Sequence, residues 1–131
     1  MKIQIFTLCD YAQNNGGKLT IIGTFNRIYA DSFPFIYAPS AFVVAKVCSN
    51  EACNGSFNFS VNTPDGEPLL PSLTGEFRID NPDNDNKEKS FDFCLALNNL
   101  SFSKPGTYTF RFEVDGIIAT QELYLSPRPI R

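Results

Sequence analysis

The chain has 131 residues, of which 43% are hydrophobic and 19% are charged. This is the length of one globular domain, and the apolar content is high enough to exclude intrinsic disorder. The 11 basic and 14 acidic residues give a net charge of −3, so the chain lacks the basic surface that nucleic-acid binding requires. It has no histidine, which excludes Ser-His-Asp and Cys-His catalytic arrangements and histidine-ligated metal sites.

The N-terminal residues predict a strand of the folded domain rather than a targeting signal. Gln4 and Thr7 interrupt the apolar run and Asp10 follows it, whereas a secretory signal requires a continuous apolar stretch. No segment of the sequence approaches the roughly 18 apolar residues of a membrane-spanning helix. We therefore expect a cytoplasmic protein that does not associate with membranes.

Three strands and a hairpin are predicted before residue 50. The runs Lys2–Cys9 and Lys18–Ala30 flank Asn14-Asn15-Gly16-Gly17, whose residues accept positive φ angles and favour a tight turn. The third strand, Ala41–Cys48, is rich in valine with little alternation, which indicates a central position in a sheet. The segment 31–40 contains prolines and is predicted to carry the chain from one sheet to the other.

The rest of the chain alternates apolar and polar residues with a period of two, which is typical of antiparallel strands with one solvated face. A last strand, Ile117–Leu125, follows a tight turn at Asp115-Gly116. Because many of the phenylalanines lie on the apolar faces, we interpret them as core residues. The four alternating faces are Phe57/Phe59/Val61, Leu73/Phe77/Ile79, Phe91/Phe93/Leu95/Leu97 and Tyr108/Phe110/Phe112/Val114.

Together these patterns predict eight strands and no helix longer than one turn. We predict an all-β fold, a single antiparallel β-sandwich over residues 1–131, immunoglobulin-like or jelly-roll-like. The segment Lys104–Phe110 resembles the tyrosine corner of immunoglobulin-like sandwiches, with Tyr108 as the tyrosine whose hydroxyl bonds to the backbone upstream. The chain has no tryptophan and lacks the cysteine spacing of antibody domains, so the inference concerns the sandwich architecture alone.

Several segments resemble a family of small bacterial proteins of unknown function. The resemblance extends over nearly the whole chain, and it implies a stand-alone, cytoplasmic β-sandwich. It implies no catalytic or binding residue. The segments are Phe6-Thr7-Leu8-Cys9-Asp10-Tyr11-Ala12-Gln13, Gly17–Phe25, Leu97-Asn98-Asn99-Leu100, Pro105-Gly106-Thr107-Tyr108 and Asp115-Gly116.

The four cysteines, Cys9, Cys48, Cys53 and Cys94, are predicted to be free thiols, because the cytoplasm is reducing. Only Cys48 and Cys53 are close in sequence, and a bridge between them across a loop is one alternative. A zinc site made of all the cysteines is another. It would require a second close pair, which Cys9 and Cys94 do not provide.

The loop 80–89 is rich in aspartate and asparagine and is predicted to be exposed. Asp83 and Asp85 occupy alternate positions, as the oxygen ligands of calcium loops do, and are the candidate metal ligands. Asn86 stands where an EF-hand loop requires glycine, and nearby lysines add opposing charge. A solvated polar turn is therefore the favoured interpretation.

Asp10 and Tyr11 follow the first predicted strand and lie just before the glycine-rich turn. An exposed recognition patch is one interpretation of this pair. The favoured one is an Asx-type turn, in which Asp10 accepts hydrogen bonds from nearby backbone amides and Tyr11 covers the end of the sandwich.

Catalysis is not expected from this sequence. Glu76, Asp80, Asp92 and Glu113 lie on the predicted polar faces, where paired carboxylates could in principle hydrolyse glycosides. Arginines alternate with them, as on the solvated side of any sandwich, and no histidine is present to activate a cysteine. We expect a protein with no catalytic residues and no cofactor.

By elimination, the sequence favours a non-enzymatic protein-interaction or assembly module. An open sandwich has edge strands that can pair with another chain. Apolar and polar residues alternate only weakly along the predicted strands Ala41–Cys48 and Ile117–Leu125. We therefore expect one of these strands to be covered on both sides by a partner subunit, and our hypothesis is a homodimer. The alternative is a module that binds calcium or a saccharide through the loops at one end of the sandwich. The lack of tryptophan weighs against the saccharide.

Overall fold

The computed structural model describes residues 1–129, which form nine β-strands and no helix. The strands form a four-stranded sheet, β2-β1-β4-β7, and a five-stranded sheet, β3-β9-β8-β5-β6. The inner faces of both sheets contribute to one hydrophobic core, so the sheets pack as a sandwich. The all-β prediction is confirmed, and residues 130 and 131 of the predicted domain lie outside the described range. The strands are β1 (Lys2–Asn14), β2 (Leu19–Thr24), β3 (Arg27–Ala30), β4 (Phe35–Ser49), β5 (Cys53–Asn62), β6 (Leu73–Ile79), β7 (Lys89–Phe102), β8 (Gly106–Val114) and β9 (Ile117–Pro127).

The predicted number of strands is wrong by one, because the run Lys18–Ala30 forms two strands in different sheets. β2 pairs with β1, whereas β3 pairs with β9. The chain changes sheet between Phe25 and Asn26. The Phe25 amide donates to the Leu8 carbonyl of β1 at 3.3 Å, whereas the Asn26 carbonyl accepts a hydrogen bond from the Tyr124 amide of β9 at 2.8 Å. The predicted antiparallel pairing holds for the other strand pairs, whereas the β3–β9 pair is parallel.

Both predicted hairpin turns are confirmed. The Asn15 amide bonds to the Lys18 carbonyl at 2.9 Å, and this turn joins β1 to β2. The Asp115-Gly116 turn has φ angles of 46° and 85° and joins β8 to β9. β1 runs to Asn14, beyond the predicted end of the first strand, so the first hairpin is longer than expected.

β4 is an interior strand, as predicted for Ala41–Cys48, and it lies between β1 and β7. It begins at Phe35, within the segment that was expected to be a connection only. Because β3 and β4 belong to different sheets, the chain does cross the sandwich there, over residues 31–34. β9 is also an interior strand, between β3 and β8.

Phenylalanine rings fill the space between the two sheets. The ring centroid of Phe57 in β5 lies 6.0 Å from that of Phe91 and 5.1 Å from that of Phe93, both in β7. Phe77 of β6 stacks on Phe91 with centroids 4.7 Å apart and an interplanar angle of 11°. The predicted apolar faces are confirmed except at Leu73, which is 39% exposed because it begins an edge strand.

Two glycines make room for these rings. Gly75 is paired with Phe57, and Gly55 is paired with Phe77, in the register of β5 and β6. A Cβ atom on Gly75 would lie 2.6 Å from Cζ of Phe57, and one on Gly55 would overlap the Phe77 ring. Each ring therefore lies over the backbone of the opposite strand, at a position where any side chain would displace it.

The tyrosine corner predicted at Lys104–Phe110 is present. Tyr108 is fully buried, and its hydroxyl donates a hydrogen bond to the Lys104 carbonyl at 2.7 Å. Its ring packs edge-on against Phe102, with centroids 4.9 Å apart. The hydroxyl thereby fixes the connection between β7 and β8 to the core.

We expect Tyr108→Phe to lower the free energy of unfolding by about 1–2 kcal/mol, because the Lys104 carbonyl loses its donor while the ring packing is kept. Urea denaturation measures this loss. Tyr11→Phe is the control, since the Tyr11 side chain is exposed, and it should change stability by less than about 0.5 kcal/mol. Equal losses in the two variants would contradict the assignment.

Candidate functional site

The hairpin of β1 and β2 curls over the outer face of the four-stranded sheet. Cys9 and Val44 are fully buried although they belong to a cluster separate from the main core. The Asn14 side-chain amide donates to the carbonyl of Asp92 in β7 at 3.5 Å, although β4 separates β1 from β7 in the sheet. The hairpin therefore covers Val44. Because β4 is covered by the chain's own residues on this face, its sequence alternates only weakly between apolar and polar residues. The other members of this cluster are Ala12, Leu19, Ile21, Phe42 and Cys94.

An apolar patch remains exposed on this hairpin. Tyr11 of β1 and Ile22 of β2 are directly paired across the strands and are 44% and 56% exposed. The Tyr11 ring packs edge-on against Phe42 of β4, with centroids 5.4 Å apart. We call Tyr11, Ile22 and Phe42 the hairpin patch. Ile22 is the member of the patch that lies on the edge strand β2, and Tyr11 and Phe42 lie on the next two strands of the sheet.

β2 differs from the other edge strands in its lack of charge. Among the described residues, the sheets end in β2, β7, β3 and β6. β7 carries Lys89 and Asp92, β3 carries Arg27, and β6 carries Glu76 and Arg78. Charged side chains on an edge strand oppose pairing with any strand that does not carry the opposite charge, including a second copy of the same strand. The β2 sequence, Leu-Thr-Ile-Ile-Gly-Thr, has no charged residue and no proline, so it lacks this protection.

Asp10 lies within β1, so the predicted Asx turn is wrong. Its Oδ1 atom accepts a hydrogen bond of 2.6 Å from the hydroxyl of Tyr37, whose ring stacks on Phe25. Gly23 has a φ of +70°, and a Cβ atom there would lie 2.7 Å from Oδ2 of Asp10. Asp10, Gly23 and Phe25, which all belong to the segments of the family resemblance, therefore come together around Tyr37.

All four cysteines are free thiols, as predicted. The Cys48 thiol donates to the side-chain oxygen of Gln4 at 3.3 Å. Burial, together with the neighbouring Glu88 carboxylate, raises the pKa of Cys48 to about 11. Burial also raises the pKa values of Cys9 and Cys94. A nucleophilic cysteine requires a lowered pKa, so these three thiols are poor nucleophiles.

The calcium candidates, Asp83 and Asp85, lie in the exposed loop between β6 and β7. Asp85 is ion-paired with Lys89, and its Oδ1 atom also accepts the Lys87 amide at 3.0 Å. The Lys89 ammonium holds the pKa of Asp85 below its usual value. Within residues 1–129, no group of three or more acidic or cysteine side chains is arranged to hold a metal ion. Asp83 and Asp85 are therefore not brought together with further acidic ligands.

Two of the four carboxylates considered for catalysis share a groove on the outer face of the five-stranded sheet. Glu76 and Glu113 lie on the strands that flank β5 and line a groove of about 570 Å³. Asn58 also lines this groove, and its buried Oδ1 atom has no hydrogen-bond partner in the described part of the chain. Asp80 pairs instead with Arg78, 2.7 Å away. Asp92 pairs with Lys46 on the four-stranded sheet, 2.8 Å away.

Sequence reasoning did not single out Ile22 or Tyr37. The uncharged, β-branched run around Ile22 indicates an edge that is not protected against pairing with another chain, but only if β2 is known to be an edge strand. Tyr37 had no such signal, because its partner Asp10 is 27 positions away in the chain.

These features define an all-β protein of two packed sheets, with no helix in the described part of the chain that is long and apolar enough to cross a membrane. The family described as "Family of unknown function (DUF6941)" matches residues 4–124. The chain belongs to this family, which confirms the resemblance to an uncharacterised family. No curated protein matches the chain.

We expect the Asp10–Tyr37 contact to make stability fall at high pH. Tyr37 is partly buried beside a carboxylate, and both effects raise its pKa to about 12, from about 10 in the unfolded chain. As the pH rises, the unfolded chain therefore loses the Tyr37 hydroxyl proton at a lower pH than the folded protein does. The contribution of Tyr37 to the free energy of unfolding is complete below pH 10 and is lost as the pH rises through 12.

Urea denaturation between pH 9 and 12 checks this expectation, with Tyr37→Phe as the test variant and Tyr29→Phe as an exposed control. The free energy of unfolding should decline less steeply in Tyr37→Phe than in the wild type. The same decline in all three proteins would show that Tyr37 is not the group responsible.

Proposed function

We propose that this protein is a non-enzymatic protein-interaction or assembly module that adds a further β-strand at the edge of β2. The observation that carries the proposal is the absence of charge on β2, the single edge strand in residues 1–129 without a charged side chain. An unpaired strand edge presents backbone donors and acceptors that an incoming strand satisfies. The hairpin patch supplies apolar contacts beside that edge.

We propose that the added strand is β2 of a second copy, which makes the protein a homodimer. Two β2 strands paired antiparallel about a two-fold axis would join two four-stranded sheets into one continuous sheet. An axis perpendicular to the sheet keeps Ile22 of both copies on the same face, where their exposed side chains can pack together. Because neither β2 carries charge, their approach brings no like charges together.

The raised pKa values of the buried thiols support the non-enzymatic part of the proposal. The four free thiols fit a reducing compartment, so we propose a cytoplasmic location, and the family resemblance suggests a bacterial source. For the architecture we propose the immunoglobulin-like arrangement over the jelly roll, because the Tyr108 corner is a feature of immunoglobulin-like sandwiches.

We expect Ile22→Lys to convert a dimer to a monomer, because it places a charge on the uncharged edge and removes an apolar contact. Sedimentation equilibrium at micromolar protein concentration measures the mass. Ile36→Lys is a matched control, since Ile36 is also 56% exposed but lies on β4, where it pairs with Ser101 of β7 and is outside the proposed β2 interface. A monomer mass for the wild type would contradict self-association. A dimer that survives Ile22→Lys would contradict the use of β2.

Saccharide binding is a second candidate function, and one observation favours it. Asn58, whose buried Oδ1 atom has no hydrogen-bond partner among the described residues, lines a groove whose polar walls could bind sugar hydroxyls. The groove lies on the face of the five-stranded sheet, not at the loops where the sequence suggested a ligand. Screening against a glycan panel tests it, and a bound glycan should be lost in Asn58→Ala. If no glycan is retained by the wild type, this candidate fails.

A further inference from the structure

An arginine lies between two tyrosine rings on the outer face of the five-stranded sheet. Cζ of Arg27 in β3 is 5.7 Å from the ring centroid of Tyr29 and 5.2 Å from that of Tyr124 in β9. Its Nη1 atom donates a hydrogen bond of 2.9 Å to the hydroxyl of Ser126. We call these four residues the Arg27 clamp. The clamp is open to solvent, since Arg27 is exposed and Tyr29 is 47% exposed.

Arg27 differs from the other arginines of residues 1–129 because it pairs with no carboxylate within that range. Its planar guanidinium has five N–H donors, and the hydroxyl of Ser126 accepts from one nitrogen. The two rings hold that plane in a fixed position by cation–π contacts. A pre-positioned guanidinium of this kind suits the bidentate binding of a carboxylate. The paired arginines are Arg78 with Asp80, Arg111 with Glu113 and Arg128 with Asp31.

The nearby Glu122 limits the charge that the clamp can accept. Its Oε2 atom accepts a hydrogen bond of 2.6 Å from the Tyr124 hydroxyl, and it forms no ion pair with Arg27. One guanidinium beside one carboxylate gives little net positive charge. The clamp therefore favours a monoanion such as a carboxylate over a phosphate dianion.

Because Arg27 lies on an edge strand, the carboxylate can belong to a residue of a further strand that pairs with β3. β3 pairs with β9 on one side, and it is the last strand of its sheet on the other. In a strand added there, the residue opposite Arg27 would have its side chain on the same face, with Cβ atoms about 5 Å apart. The Arg27 guanidinium lies toward β9, over Tyr124 and Ser126, so an acidic side chain at that position would extend across β3 to reach it.

We propose that the Arg27 clamp binds the carboxylate of an acidic side chain in an extended segment of a partner protein that lies along β3. This site is on the opposite sheet from β2, so it does not depend on dimer formation. Arg27 supplies the charge, the rings of Tyr29 and Tyr124 fix its orientation, and the edge of β3 provides backbone pairing.

The test is an NMR titration of the ¹⁵N-labelled full chain with the capped peptide Thr-Val-Glu-Val-Thr and with the same peptide carrying glutamine in place of glutamate. We expect the glutamate peptide to shift the Arg27 side-chain Nε–Hε signal and the amide signals of β3. The glutamine peptide should bind about tenfold more weakly, because the charge-assisted hydrogen bonds are lost.

Arg27→Gln should weaken binding of the glutamate peptide by a similar factor. Arg78→Gln is the control, since Arg78 also lies on an edge strand but is ion-paired, and it should bind as the wild type does. The dispersion of the amide signals reports separately whether each variant is folded. Equal binding of the two peptides, no shift at Arg27, or an equal response to inorganic phosphate would overturn the proposal. Because the Ile22→Lys variant should give the same titration, failure here is distinguishable from failure of the β2 dimer.

Discussion

Phe57, Phe91 and Phe93 meet between the two sheets, and this contact determines how the rest of the chain packs. The rings come from β5 and β7, which belong to opposite sheets, so their packing fixes the sheets face to face. Gly75 is a condition of this contact, because any side chain there would displace Phe57. Once the sheets are fixed as two open layers, the four terminal strands each keep an edge that residues 1–129 do not pair.

The four edge strands differ in whether they carry charged side chains, and this difference bears on which edge can pair with another chain. Charged residues mark three of them, whereas β2 has none and lies beside the exposed Tyr11 and Ile22. The hairpin that carries β2 is held in place because its residues Cys9 and Ala12 form a buried cluster with Val44 of β4. A strand that is well supported on one face and open along one edge is suited to pairing with another strand. The Arg27 clamp lies on the other sheet, so the two surfaces can be occupied independently.

Local signals in the sequence were sufficient for most of the fold. Alternation located the core strands, the glycine-rich and Asp-Gly turns located two hairpins, and the Lys104–Phe110 segment located the tyrosine corner. The break of Lys18–Ala30 into β2 and β3 was missed, because no proline marks it and β3 leaves the hairpin to pair with β9, which is distant in the chain. The Asp10–Tyr37 hydrogen bond and the Arg27 clamp could not be predicted either. Both join residues far apart in the chain, Arg27 and Ser126 being 99 positions apart, and they depend on strand order.

The most direct test of the central claim is hydrogen–deuterium exchange at the backbone amides of β2, measured as a function of protein concentration. If β2 pairs with a second copy, protection of those Leu19–Thr24 amides that are not bonded to β1 should increase as the concentration rises from about 1 to about 100 μM. Protection in the interior strand β4 should stay constant over the same range. Exchange in β2 that is fast and independent of concentration would contradict the claim that this edge is where the chain assembles.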